Sequence, residues 1–181
     1  KEAVTAVNGA VMVIAGAGSG KTRALTHRIA YMIQEGVNPF SIMALTFTNK
    51  AAKEMKDRIM QLVDPHAARN VWMGTFHSIF AKILRIEAQH LGFTSDFTIY
   101  DTDDSKQLIN TILKERELDT KAYPAKYILH RISMAKSALY TAEDYCNNFE
   151  IQQQDLRANK PLVGEIFKSY NNRLLRANAM D

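Results

Sequence analysis

The chain of 181 residues has one cysteine, four prolines and one tryptophan. A single cysteine, Cys146, excludes an internal disulfide framework and fits a reducing compartment. No apolar run approaches the roughly 20 residues needed to cross a bilayer, so nothing in the sequence supports a membrane span. The first residues lack the basic segment, apolar block and small-residue cleavage site of a secretory leader, and a cytoplasmic location is expected. The histidines at 27, 66, 77, 90 and 130 lack the spacing of a metal site, so packed or solvent-facing roles are expected for them. There is no repeat and no low-complexity tract. Charge is also scarce in excess: the net value is +4, and it lies in one half. Residues 1–100 hold 11 Lys+Arg against 7 Asp+Glu, whereas residues 101–181 hold 12 of each. So small an excess suits a polyanionic partner and suits an ordinary solvated surface equally well.

What is present centres on Ala15-Gly16-Ala17-Gly18-Ser19-Gly20-Lys21-Thr22. The apolar run Val11-Met12-Val13-Ile14 before it reads as a buried strand, and a helical pattern follows it. In that setting a glycine-rich loop is a phosphate cradle: glycines admit positive φ and close ligand approach, and the helix start adds free amides and the positive end of its dipole. Lys21 can reach the β- and γ-phosphates, and the Thr22 hydroxyl can complete a Mg²⁺ shell. Ala15 occupies the place where the simplest form of the motif has its first glycine, a strand-end position where a small residue suffices. The pattern points to a bound nucleoside triphosphate and leaves open what its energy drives.

The remaining elements follow from periodicity and punctuation. A strand over Val11–Ala15 leads to a helix from Lys21 to about Glu35, closed by Gly36. A strand over Ile42–Phe47 precedes a helix capped by Asn49 and running to about Val63, with Ala52, Met55 and Ile59 turned inward. A third strand over Asn70–Gly74 leads to a helix from Phe76 to Leu91, with Phe80, Ile83, Leu84 and Leu91 as its apolar stripe. Phe97–Tyr100 is a fourth strand candidate. Alternating strands and helices predict an α/β unit with a parallel sheet, and ligands on such sheets bind at the carboxyl ends of the strands. The phosphate loop, Thr46–Lys50 and Gly74–Ser78 are therefore expected on one edge. Beyond Tyr100 the pattern turns helical, at roughly 103–118, 124–137, 141–150 and 160–177, and predicts an all-helical subdomain.

Phe47 leaves a strand end as an aromatic beside hydroxyl and amide groups, a mixture that stacks a base and holds a phosphate. Asn49 and Lys50 open a helix whose free amides can take a backbone phosphate. Blander readings stay open: Phe47 as a core aromatic, His77 as a packed or surface histidine, Phe76 as the first residue of its helix stripe. Lys136 is a candidate for duplex contact, with a solvated helix face as the preferred reading.

The three strand-end segments, Ala15–Thr22 continuing into Arg23–Tyr31, Leu45-Thr46-Phe47-Thr48-Asn49-Lys50 continuing to Met55, and Gly74-Thr75-Phe76-His77-Ser78, resemble the UvrD/Rep/PcrA family. These are superfamily 1 DNA helicases, motors that use ATP to move along one strand and separate a duplex. Phe97–Asp101 and the closing Asn178-Ala179-Met180-Asp181 are similar to the same family, so the resemblance spans nearly the whole chain. It implies a P-loop NTPase (RecA-like) subdomain over 1–100, a helical insertion over 101–178 and a return toward the first subdomain at 179–181. By position it implies that Ala15, Gly16, Ala17, Gly18, Ser19, Gly20, Lys21, Thr22 and Arg23 line the ATP site, with Lys21 and Thr22 catalytic and Thr22 supporting Mg²⁺. It further implies that Phe47, Thr48 and Asn49, and then Thr75, Phe76 and His77, touch single-stranded DNA, with duplex DNA near the insertion. The family places its acidic pair and its transition-state arginine after residue 181, and its adenine-reading glutamine before Lys1. The chain is thus expected to be an N-terminal fragment, inactive or nearly so alone. On the residues alone, a P-loop phosphotransferase such as a small-molecule kinase and a non-catalytic nucleic-acid-binding module remain alternatives.

Overall fold

The computed structural model describes residues 2–16 and 18–181; Lys1 and Ala17 lie outside the described residues. The chain divides into two compact units, Lys1–Leu84 and Arg85–Asp181.

In the first unit, β1 (Met43–Thr46) and β2 (Trp72–Thr75) pair in parallel, with Met43 opposite Trp72 and Thr46 opposite Thr75. Parallel neighbours require a crossover, supplied here by α3 (Asn49–Leu62) and α4 (Pro65–Arg69). Each helix starts where a side chain accepts an otherwise orphaned amide. Thr48 Oγ1 accepts from Ala51 N–H at 3.2 Å, and the Asp64 carboxylate accepts from His66 and Ala67 N–H at 2.8 and 3.2 Å. The expected cap at Asn49 is therefore one residue late, because the hydroxyl of Thr48 is the group that reaches into the first turn. Helix α2 (Lys21–Gln34), which follows the short α1 (Glu2–Thr5), is flanked by Gly20 at its start and Glu35 at its end, with Gly36 as the stop. There φ of 86° lets Gly36 and Val37 donate back to the carbonyls of Ile33 and Met32 at 3.1 and 2.9 Å. Ile29 of α2 and Met55 and Ile59 of α3 close over Ile42, Ala44 and Val71 to form this unit's core.

The expected strand over Val11–Ala15 is not formed. Its residues have no regular structure, and Met12 and Ile14 are 84% and 90% exposed. A strand exists only where a neighbour takes up its amides and carbonyls, and among the described residues the sheet holds β1 and β2 alone. The third expected strand begins two residues later than the sequence pattern indicates, at Trp72. The helix α5 (Phe76–Glu87) tightens into a 3₁₀ turn over Ala88–Leu91 before Gly92 in the left-handed region. Its buried residue is Ile79, whereas Phe80 and Leu91, expected in the stripe, are exposed.

The fourth strand candidate forms as β3 (Thr98–Ile99), but it pairs in parallel with β4 (Ala179–Met180) and not with the first sheet. Thr98 N–H donates to Asn178 O at 2.9 Å and Tyr100 N–H to Met180 O at 2.7 Å. That pairing ties residues 85–100 to the helical unit, ahead of the change of texture at 101. The unit's helices are α6 (Thr102–Glu115), α7 (Ala125–Ser137), α8 (Ala142–Asn147), α9 (Phe149–Arg157) and α10 (Val163–Arg176). Helix α9 is an addition to the sequence reading, which ends a helix near 150. Asn148 ends α8 and at once caps α9, accepting from Ile151 N–H at 3.1 Å, so one apolar pattern becomes two helices. Reciprocal caps start α6 through Asp101 and Asp104 and α8 through Thr141 and Asp144. Val163, Ile166, Phe167, Tyr170 and Leu174 form the buried stripe of α10, with Tyr145 edge-on to Phe167 at 5.8 Å. Lys136, expected on a solvated face, instead pairs with the Asp181 carboxylate and lies over the Tyr170 ring.

One ionic group is buried in this core. Asp155 is fully buried; one carboxylate oxygen lies 2.9 Å from the Arg131 guanidinium, and the other accepts from the Tyr145 hydroxyl at 2.7 Å. Arg131 Nε donates to the same hydroxyl at 3.0 Å, which closes the triangle. Burial, reinforced by the carboxylate, pushes the Tyr145 phenol above its ordinary range. Removing one member of such a set strands the others. Asp155→Ala is expected to destabilise the chain by about 3 kcal/mol, more than Asp155→Asn, as read by urea denaturation followed by circular dichroism. The caps set a pH dependence. Backbone amides of Asp104 and Asp103 hold the Asp101 carboxyl below 3.8, and the Thr141 hydroxyl does the same for Asp144. A lowered folded-state value means stabilisation that is complete at neutral pH, begins to fall near pH 4 and is lost as the folded-state values are passed. Melting temperature should therefore drop below pH 4, and drop less in Asp101→Asn.

Candidate functional site

The parallel register carries the site. Thr46 and Thr75 are partners at the last rung, so the next residues, Phe47 and Phe76, leave the sheet side by side. Their ring centroids are 5.3 Å apart with planes inclined by 38°, and Phe47 is 90% exposed. The reading of Phe47 as a core aromatic is therefore excluded. Below the rings the two turns are locked by hydroxyls. Thr46 Oγ1 donates to Thr48 O at 3.1 Å; Thr75 Oγ1 accepts from Ser78 N–H at 3.2 Å; Ser78 Oγ donates to Thr75 O at 2.9 Å. Thr75 is thereby turned inward as the anchor of α5, while Thr48, Asn49, Lys50 and His77 remain exposed around the rings. Gly74 is required at this turn, because a Cβ there would lie 2.6 Å from Ser78 Oγ and 3.0 Å from Ile79 Cγ1.

The glycine-rich loop belongs to the same compact unit. Gly18 and Gly20 take φ of 77° and 87°, the left-handed region that glycine enters without strain. At Gly16, Gly18 and Gly20 nothing lies within 4 Å of where a Cβ would be, so the loop's glycine faces open to solvent. Ser19 Oγ donates to Gly16 O at 2.7 Å, and Lys21 Nζ donates to the carbonyls of Ala15 and Gly16, each at 2.7 Å. The ammonium thus lies folded over its own loop. Among the described residues no side chain caps α2, and the first amides of a helix have no intrahelical partners. Thr22 and Arg23 are exposed in that first turn. A cleft of about 280 Å³ lined by Ala3, Val11, Val13, Lys21, Leu25 and Arg28 opens beside the lysine. Among the described residues no three His, Cys, Asp or Glu side chains converge as a metal site.

The model of the UvrD/REP helicase N-terminal domain matches residues 1–181. The chain belongs to this family. It is similar to the ATP-dependent DNA helicase PcrA of Staphylococcus epidermidis RP62A, 43% identical over 184 residues, covering 99% of this chain and 24% of that protein. It is also similar to the PcrA helicase of Staphylococcus aureus Mu50, 40% identical over 181 residues with the same coverage. The chain thus spans about a quarter of the length of these curated relatives.

Within this UvrD/REP-type chain, the structure brings together two of the three strand-end segments, Thr46–Lys50 and Gly74–Ser78, through direct pairing. The loop at Ala15–Thr22 follows the unpaired run Val11–Ile14, and Ala17 lies outside the described residues. Phe80 is the residue that the apolar stripe concealed. It lies one helical turn beyond Phe76, with ring centroids 6.4 Å apart and planes inclined by 25°. The signal was present as an aromatic pair at i, i+4 directly after a strand end. Gly74→Ala should cost about 1–3 kcal/mol in urea denaturation through the forced shift of Ser78 and Ile79. Phe47→Ala, at an exposed ring, should leave the midpoint nearly unchanged.

Proposed function

We propose that this chain is the first part of an ATP-dependent DNA helicase, holding the phosphates of ATP and forming one wall of a track for single-stranded DNA. The observation that carries the reading is the register pairing of Thr46 with Thr75, which sets Phe47 and Phe76 side by side and facing solvent. Exposed aromatic rings offer sequence-tolerant stacking to unpaired bases. Thr48, Asn49 and His77 supply polar groups at their border, and the opening amides of α3 suit a backbone phosphate. Thr75 acts from beneath, holding the turn.

The loop residues fit ATP with Mg²⁺. Glycines 16, 18 and 20 leave room for close approach, and the uncapped start of α2 presents amides. Lys21 can exchange its two carbonyl partners for phosphate oxygens, and Thr22 can offer its hydroxyl to the cation. Bound Mg·ATP would supply the free energy of phosphoryl transfer to water; these residues bind and orient it. Arg23, exposed in the same turn, is the further cation that this reading assigns to phosphate charge.

A RecA-like sheet is the matching architecture, with residues 1–100 as the nucleotide-binding part, 101–178 as the helical insertion and 179–181 as the return. The exposed apolar run Val11–Ile14 supports this reading, since it has the composition of a central strand and needs neighbours from the rest of a longer protein. Membership of a helicase family does not favour the phosphotransferase and non-catalytic readings.

In the full-length protein, Lys21→Ala is expected to lower ATP turnover about 100-fold or more, by analogy with the loss of other preorganised charge-stabilising donors. Phe47→Ala should weaken single-stranded DNA binding about fivefold or more while sparing DNA-independent hydrolysis. The 181-residue chain alone should turn over little ATP; robust turnover by it that Lys21→Ala abolishes would contradict the division of labour proposed here.

A further inference from the structure

We propose that Phe80 is a third stacking position on the same track, so that the wall offers a ladder of three rings, Phe47–Phe76–Phe80, to successive unpaired bases. This rests on the reading of Phe47 and Phe76 as a single-strand platform and extends it to a residue on the body of α5. The ring spacings of 5.3 and 6.4 Å both fall in the contact range of aromatic pairs, so the three rings form one surface. Phe80 is 48% exposed, whereas its neighbour Ile79 is 6% exposed and fills the inward position over Gly74. Phe80 therefore adds little to this unit's core and presents its ring beside Phe76.

An exposed apolar ladder needs a defined occupant, and charge selects one. The segment that carries it, residues 46–86, holds seven Lys+Arg against three Asp+Glu. Exposed Lys50 opens α3 three residues after Phe47, whereas Lys82 lies over the Trp72 ring and Arg85 donates to the carbonyls of Ser95 and Phe97. Exposed rings beside Lys50 and the opening amides of α3 match the alternating bases and phosphates of a single strand. A protein segment docking on the same rings would gain nothing from an excess of positive charge unless it were itself acidic.

The test uses the full-length protein and fluorescein-labelled oligo(dT), titrated at two salt concentrations, with wild type, Phe80→Ala, Phe80→Leu, Phe80→Trp and Phe47→Ala. Stacking predicts that Phe80→Ala and Phe80→Leu both weaken binding about fivefold or more and that Phe80→Trp retains it. It also predicts that the difference between wild type and Phe80→Ala vanishes on an abasic oligonucleotide. If Phe80→Ala lowers the melting temperature, the comparison of Leu with Trp still decides, because both preserve bulk. Wild-type affinity in Phe80→Leu means that the ring only packs, and overturns the proposal. Loss of affinity in Phe47→Ala with none in Phe80→Ala or Phe80→Leu also overturns it and leaves the two-ring platform intact. No loss in any variant, Phe47→Ala included, refutes the platform itself.

Discussion

The parallel pairing of two four-residue strands is the constraint on which the rest of the first unit depends. Because side chains alternate along a strand, a slip of one residue would exchange buried and exposed faces. It would turn Ala44 out of the core and separate Phe47 from Phe76. Register is therefore held from both sides. The apolar residues of α2 and α3 close over one face of the sheet, and the fit of Ile79 against Gly74 holds the other. The hydroxyls of Thr46, Thr48, Thr75 and Ser78 then convert the strand ends into two rigid turns. The solvent-facing rings inherit their positions from that buried arrangement.

The glycine-rich loop is built differently. It has almost no packing of its own, and its shape comes from left-handed glycines and from hydrogen bonds within the loop. Lys21 satisfies itself on the carbonyls of Ala15 and Gly16. Such a loop can accept an anion by exchanging partners for the lysine, without rearranging a core. The apolar run before it, by contrast, is exposed in a way that isolated domains avoid, and its composition is that of a strand with neighbours on both sides.

The helical unit is held in a third way, by an apolar core that encloses one ionic triangle. Asp155, Arg131 and Tyr145 come from three helices and are linked by one ion pair and two hydrogen bonds. A buried carboxylate is tolerated only with such partners, so the triangle specifies how α7, α8 and α9 meet. The short β3–β4 ladder performs the same service for the two ends of the unit, bringing Asn178 to Thr94, where its side chain accepts the backbone amide at 2.9 Å.

Sequence alone determined the parts of this protein whose physics is local. The glycine pattern before Lys21, the apolar spacing of Ile29, Met55 and Ile59, the stop at Gly36 and the capping-rich start at Asp101 each depend on residues a few positions apart, and each was legible. The family likeness also rested on short segments read in order. Tertiary structure decided what depends on distant partners. Val11–Ile14 has the composition of a strand, yet pairing is a property of neighbours and no composition supplies them. Phe80 and Ile79 are adjacent apolar residues of one helix, and only the position of the sheet beneath that helix determines which is buried. Of the strand candidate Phe97–Tyr100, Thr98 and Ile99 form a strand, and their partner lay at the far end of the chain. Thr75 and Phe76 looked equivalent as contact residues until the strand end turned one hydroxyl inward and one ring outward.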